Sequence, residues 1–98
     1  MENACSLQGH EVEEQRRRHE ALARSATGAV FDGEAVTVSF GESLDRALLD
    51  DMIAVERRCC PFFDIAYDEG TRLLRIGVRD PSMAPALDVI AERLGAAA

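Results

Sequence analysis

The sequence changes character within residues 56–63, Glu56-Arg57-Arg58-Cys59-Cys60-Pro61-Phe62-Phe63. A helical pattern ends in this stretch, a strand pattern begins, and two of the three cysteines of the chain stand here side by side. Proline lacks a backbone N–H group and disfavours helical backbone in the residue before it, so Pro61 ends the helix. Cys59 is therefore predicted in the last helical turn, and Cys60 is predicted to lead into the next strand.

The residues before this junction predict a helix and, preceding it, a β-hairpin. Apolar residues recur at helical spacing over residues 44–59, with Ser43 as the expected N-cap. Residues 34–40 alternate between apolar and polar side chains, which indicates a strand with one buried face. The Asp32-Gly33 pair indicates a hairpin turn that connects this strand to another over residues 29–31.

The two ends of the chain predict further helices and a second hairpin. A surface helix with a narrow apolar stripe is expected from about Leu7 to Ala26, with His19 as a partly buried surface histidine. Strands are expected over residues 63–67 and 73–78, and a last helix over residues 81–94.

These elements give the order α-β-β-α-β-β-α, which predicts an α+β fold. The simplest packing is a four-stranded antiparallel sheet with helices packed mainly on one face. At 98 residues the chain is expected to form a single domain over residues 1–98, with residues 1–6 as a short polar segment that can be flexible. The other sheet face is either wet or a dimer interface, so a homodimer is one open outcome.

Composition excludes several classes of partner. The net charge is −7 and the chain has no lysine, which argues against nucleic-acid binding and excludes Schiff-base chemistry. The apolar runs are too short to span a membrane, and the N-terminus has neither the basic start nor the apolar core of a signal peptide. A cytoplasmic location is therefore expected, and no organic cofactor is predicted.

The adjacent cysteines predict thiol chemistry rather than a structural disulfide. Consecutive Cα atoms lie about 3.8 Å apart, which is closer than in most disulfides, so a Cys59–Cys60 bridge would be strained. Thiolates select soft ions such as Cu(I) and Zn(II), and Hg(II) and As(III) follow the same rule. Cys59 and Cys60 are therefore candidate ligands for a metal or metalloid ion, or candidate partners for a small thiophilic substrate.

Three further residues are candidates for the same site. Cys5 stands at the start of the first helix, where the helix dipole favours a thiolate, and it could approach the pair if the first two helices pack side by side. Glu56 and Asp64 could ligate an ion or protonate a leaving group, although neither spacing is diagnostic.

Cys5-Ser6-Leu7 and the segment from Glu56 through Cys59, Cys60 and Pro61 to Phe62 resemble a family of small bacterial proteins. Members pair Cys-x-Leu near the N-terminus with Glu-x-x-Cys-Cys-Pro-Phe, and they occur beside or fused to metal-responsive regulators of the mercury type. The resemblance implies heavy-metal handling, with Cys5, Cys59 and Cys60 as ligands. A more distant analogy is to organomercurial lyases, which use two cysteines and an aspartate; Asp64 would take the third role, although no lyase motif matches.

Three functions remain open at this point. The first is thiolate binding of a soft metal or metalloid for sequestration, transfer or detoxification. The second is a thiol-dependent enzyme for disulfide exchange, peroxide reduction or carbon–metal cleavage, in which Cys59 or Cys60 attacks and Cys5 resolves. The third is an interaction module whose cysteines only pack, because cysteine is often a buried small apolar residue.

Overall fold

The structure is a computed structural model that describes residues 9–96. Its elements are α1 (Gly9–Arg24), β1 (Ala26–Phe31), β2 (Ala35–Phe40), α2 (Arg46–Cys59), β3 (Phe63–Asp68), β4 (Leu73–Val78) and α3 (Pro85–Arg93), with a 3-10 turn at Pro81–Met83. The predicted element order and the α+β class are confirmed. Residues 1–6, and Cys5 with them, lie outside the described part of the chain.

The four strands form one antiparallel sheet in the order β1-β2-β4-β3. Each hairpin pairs its own strands, and β2 pairs with β4 to join the two hairpins. The predicted turn between β1 and β2 is present, and Gly33 has a φ of 93°, a conformation that favours glycine. The Asp32 carboxylate closes this turn by accepting the N–H groups of Glu34 and Ala35 at 2.8 and 2.9 Å.

The core lies between the helices and one face of the sheet. Alternate residues of the central strands point into it and are fully buried, among them Val36, Val38, Leu74 and Ile76. On the opposite face Leu73 is 38% exposed, so the described part of the chain leaves this face open. The predicted placement of the helices on one face is confirmed.

The start of α2 differs from the sequence prediction, and the packing of α1 settles a point that the sequence left open. The predicted cap of α2 at Ser43 is wrong: Asp45 is the N-cap, and its side chain accepts the Leu48 N–H at 3.1 Å. In addition, α1 packs mainly against α2 and α3 rather than against the sheet. This second layer of contacts buries a stripe of α1 that includes Leu22. No helix within residues 9–96 has the length and apolarity needed to cross a membrane.

Candidate functional site

Both cysteines of the pair lie in the core at the C-terminal end of α2. Cys59 is the last helical residue, and Cys60 is the C-cap, with φ −130° and ψ 68°, while its N–H donates to the Glu56 carbonyl at 2.7 Å. A turn over Pro61 and Phe62 separates Cys60 from β3, so the prediction that Cys60 leads into the strand is wrong. Pro61 thus ends the helix as predicted. It does not bring Cys60 to the surface, because both cysteines are only 5% exposed. No disulfide joins them to each other.

A buried polar cluster lies beside the pair, where α1 meets α2. Its centre is the carboxylate of Glu56, which is 5% exposed. The Gln15 side-chain amide donates to Glu56 Oε2 at 2.8 Å and to the Met52 carbonyl at 3.0 Å. His19 Nε2 lies 3.0 Å from the same Oε2, and because a carboxylate only accepts, the imidazole is the donor. We call Gln15, His19, Glu56 and Cys60 the polar cluster.

The prediction that His19 is a partly buried surface histidine is wrong. Its side chain is 1% exposed, because α1 is covered by α2 and α3 on this side. The second ring nitrogen, Nδ1, is also buried and has no hydrogen-bond partner among the residues that the structure describes. A buried imidazole with one nitrogen on a carboxylate and the other unpaired is costly to maintain.

The surroundings of Glu56 favour its ionised form. Burial acts to raise the pKa of Glu56, but the hydrogen bonds from His19 and Gln15, the charge of His19 and a hydrogen bond from the Cys60 side chain outweigh it. The net result is a pKa of Glu56 below its ordinary value. At neutral pH the cluster therefore holds a carboxylate in the interior, in direct contact with a thiol.

The contact between Cys60 and Glu56 gives the thiol its chemical setting. The Cys60 side chain lies near enough to the Glu56 carboxylate to help lower its pKa by hydrogen bonding. A negative acceptor stabilises the protonated thiol, and it is also the nearest base once a reaction takes the thiol proton away. Cys60 is therefore a thiol with an adjacent proton acceptor, which is itself hydrogen-bonded to His19.

The other predicted site residues are placed apart from this cluster. Asp64 is exposed on the open face of the sheet, opposite the core in which Cys59 and Cys60 lie. Arg57, which stands next to Glu56 in the chain but was not a predicted site residue, is directed toward β3 and donates to the Ile65 carbonyl at 3.0 Å. Cys5 lies outside the described residues. The packing of α1 against α2 on which its approach depends is nevertheless present. Within residues 9–96 no three His, Cys, Asp or Glu side chains are grouped to hold a metal ion.

A second polar feature runs along α2 from Arg46 to Arg57, on the side that faces the β3–β4 hairpin. An open cleft of about 380 Å³ is lined by residues of α2 together with Tyr67 and Glu69 of the β3–β4 hairpin. Arg46 lies over the Tyr67 ring, 4.8 Å from its centroid, and forms ion pairs with Glu69 at 2.6 Å and Asp50 at 3.1 Å. Neither cysteine of the pair lines this cleft, so it is separate from the thiols.

Sequence reasoning missed how the polar cluster is assembled. Gln15, His19 and Leu22 recur at helical spacing and are the residues of α1 that the core buries. A glutamine and a histidine in line with a buried leucine, on a helix otherwise rich in arginine and glutamate, are the signal that could have found them. Their partner on α2 stands 37 positions after His19, and no local pattern connects the two.

Comparisons with known proteins found no matching family model, no similar curated protein and no similar solved structure. The function of this chain therefore has to be argued from the polar cluster and the cysteine pair.

Proposed function

We propose that this protein binds a soft metal or metalloid ion through the thiols of Cys59 and Cys60, with Cys5 as a third ligand. The observation that carries the proposal is the burial of the two thiols next to the buried carboxylate of Glu56, whose pKa the Cys60 side chain helps to lower. A cysteine that only fills space needs no ionised partner in the core, and burying that partner costs free energy. Packing thus accounts for the burial of Cys59, but not for the position of Cys60 next to an ionised carboxylate.

The polar cluster supports ion binding because thiols must lose protons to become ligands. Glu56 offers a nearby acceptor that can relay the Cys60 proton when an ion displaces it, and His19 and Gln15 hold that carboxylate in position. Adjacent thiolates suit ions that accept few, soft ligands, namely Hg(II), As(III), Cu(I) and Zn(II). Exposed Pro61 and half-buried Phe62 follow the pair directly. An ion that enters from solvent would pass this part of the chain to reach the thiols.

The test is an anaerobic titration of the reduced protein with each of these four ions, read by native mass spectrometry and by competition with a chelator. We expect one ion per chain for at least one of them, and loss of binding in Cys59→Ser/Cys60→Ser. Cys5→Ser should weaken the affinity without abolishing it. A wild-type protein without tight binding, or a double variant that binds as tightly, contradicts the proposal.

A matched pair of variants separates the role of the polar cluster from that of the thiols. Glu56→Gln keeps the shape of the side chain but removes the carboxylate that relays the Cys60 proton, so we expect slower ion binding. Asp51→Asn makes the same change at an exposed position of α2 and should bind like wild type. If both variants bind alike, Glu56 has no part in the reaction of Cys60.

A thiol-dependent enzyme is the second candidate, because the line from Cys60 through Glu56 to His19 joins a nucleophile, a base and a group that orients the base. In this function the thiolate of Cys59 or Cys60 attacks a disulfide and releases a thiol, or attacks a peroxide and releases water, and Cys5 then resolves the mixed disulfide or the sulfenic acid. With a carbon–metal substrate, the thiolate binds the metal and the carbon leaves with a proton from the displaced thiol.

Mass spectrometry after exposure to one equivalent of peroxide distinguishes this function from ion binding alone. A fast, stoichiometric disulfide from Cys5 to Cys59 or Cys60 supports the enzyme. Slow oxidation scattered over all three thiols counts against it.

A further inference from the structure

Alternate residues of β1 direct their backbone N–H and C=O groups away from β2, and this leaves one edge of the sheet open. The Asp32 N–H donates to the Ala35 carbonyl at 3.3 Å, which identifies a hydrogen-bonded pair at the end of the β1–β2 ladder. Hydrogen-bonded and non-hydrogen-bonded pairs alternate along an antiparallel ladder. The backbone N–H and C=O groups of Val30 therefore form hydrogen bonds with β2, whereas those of Ala29 and Phe31 point away from it. No helix or loop within residues 9–96 bonds to these groups.

The opposite edge, β3, is protected by the chain itself. Arg57 donates to the outward carbonyl of Ile65 at 3.0 Å, and the outward N–H of Phe63 donates to the Cys60 carbonyl at 3.0 Å. Asp64 and Asp68 add exposed charge along the same strand. Covering groups and charge are the usual means by which proteins keep an edge strand from pairing with another chain.

These protections are absent from β1. The strand over residues 26–31 contains no charged residue and no proline. Val30 is 63% exposed, the highest value among the large apolar side chains that the structure describes. The one irregularity of β1 is a register shift between Ala26 and Gly28, at the end of the strand away from the turn. Residues 29–31 are thus a regular, uncharged edge with open hydrogen-bonding groups.

We propose that β1 pairs antiparallel with β1 of a second copy of this chain, about a two-fold axis at Val30. In this register Ala29 exchanges both backbone hydrogen bonds with Phe31 of the second copy, and Phe31 does the same with Ala29 there. The outward groups of both strands are then satisfied, and the two four-stranded sheets become one continuous sheet.

The side chains around this axis complement themselves, which favours a second copy over an unrelated strand. Val30 meets its own symmetry mate on the open face, and small Ala29 lies opposite the large ring of Phe31. Gly28 falls opposite Asp32, so no charged residue faces another even though each chain carries a net charge of −7. Like charges directly opposite one another would destabilise such a pair.

The proposed dimer is independent of ion binding. The thiol pair lies at the end of α2, which packs against β3. β3 and β1 are the two opposite edges of the sheet. Pairing through β1 therefore leaves the polar cluster and the chain around Pro61 as they are.

Sedimentation velocity of the reduced full chain over a range of concentrations tests the proposal. We expect a dimer that dissociates on dilution, and a monomer at every concentration for Val30→Lys, which places two like charges at the axis. Val89→Lys is the matched control, because Val89 is also exposed, at 51%, but lies on α3; it should dimerise like wild type. A circular dichroism melt establishes that both variants are folded. A monomeric wild type overturns the proposal, as does a Val30→Lys variant that remains dimeric.

Disulfide trapping checks the register directly. Residues that face each other in a non-hydrogen-bonded pair have Cα atoms about 4.5 Å apart, within the range of a disulfide. In a background with Cys5, Cys59 and Cys60 changed to serine, Val30→Cys should form a covalent dimer under mild oxidation. Val89→Cys should not. Equal cross-linking of the two variants, or none at Val30→Cys, overturns the proposed register.

Discussion

The two ends of α2 both carry groups of charged side chains, but the groups differ in their access to water. At the N-terminal end, Arg46 forms ion pairs with Asp50 and Glu69, and these side chains are 40%, 60% and 78% exposed. At the C-terminal end, Glu56 and His19 form their pair at 6% and 1% exposure. Water can replace any partner in the first group and none in the second.

This difference decides what each group can do. An exposed ion pair contributes little to stability, because both charges are well solvated without it. A buried carboxylate must have its hydrogen bonds, and losing one partner leaves the others unsatisfied in the interior. The C-terminal end of α2 is therefore the place where a substitution has a large effect, and where a thiol can be held next to a base that water does not reach.

The largest effect is expected for Glu56→Ala, which removes the acceptor shared by Gln15 and His19. Breaking a buried pair in this way costs roughly 3–5 kcal/mol of unfolding free energy. Urea denaturation followed by circular dichroism measures the loss. Asp51→Ala, at an exposed position of the same helix, is the control and should unfold near the wild-type midpoint. Equal midpoints for the two variants would contradict the comparison of the two ends.

Acid should remove the contribution of Glu56 selectively. The pKa of Glu56 is lowered in the folded chain from an ordinary value of 4.5, so below that value the unfolded chain binds the proton more readily. The contribution of Glu56 to the free energy of unfolding is therefore fully present above pH 4.5 and is lost as the pH falls through the pKa of Glu56 in the folded chain. The measurement is the difference in unfolding free energy between wild type and Glu56→Gln, which should shrink with acid. A difference that stays constant with pH would show that the carboxylate is not held ionised.

A smaller effect is expected at the start of α2. The Asp45 side chain accepts the Leu48 N–H at 3.1 Å, and replacing such a cap by alanine costs about 1 kcal/mol. The matched control is Ser43→Ala, which removes the residue that the sequence suggested as the cap, and it should leave the urea midpoint unchanged. A larger loss of stability for Ser43→Ala than for Asp45→Ala would show that the helix begins earlier.

The smallest effect is expected for Arg46→Ala, in the exposed group. Its ion pairs and its contact with the Tyr67 ring are open to solvent, so the urea midpoint should differ little from wild type. The residual difference should shrink further at high salt, which screens exposed charges. A loss as large as that of Asp45→Ala, and independent of salt, would mean that the rim of the cleft is part of the stable core.

The class of fold was predictable because its signals are local. Alternation of apolar residues, the Asp32-Gly33 turn and the stop at Pro61 each act over a few residues, and each is found where the sequence indicated. The cap of α2 was mistaken because both Ser43 and Asp45 suit that role. Which of them serves depends on where the chain from β2 enters the helix, and that path is set by packing.

The site was predictable only in part. The sequence pointed to Cys59 and Cys60 and named Glu56 as a possible ligand or acid. It did not connect Glu56 to Gln15 and His19, because contact between α1 and α2 depends on the whole fold rather than on a local pattern. The proposed roles of Cys5 and Asp64 stay predictions.

By itself, the sequence determined the element order, the one-sided sheet and the helix that ends in two adjacent thiols, since chain geometry and apolar periodicity act locally. Tertiary structure decided that α1 lies over α2, that His19 and Glu56 meet inside the core and that both thiols are buried beside them. Those contacts join residues far apart in the chain, and the burial that gives them their chemical character exists only once the layers have packed.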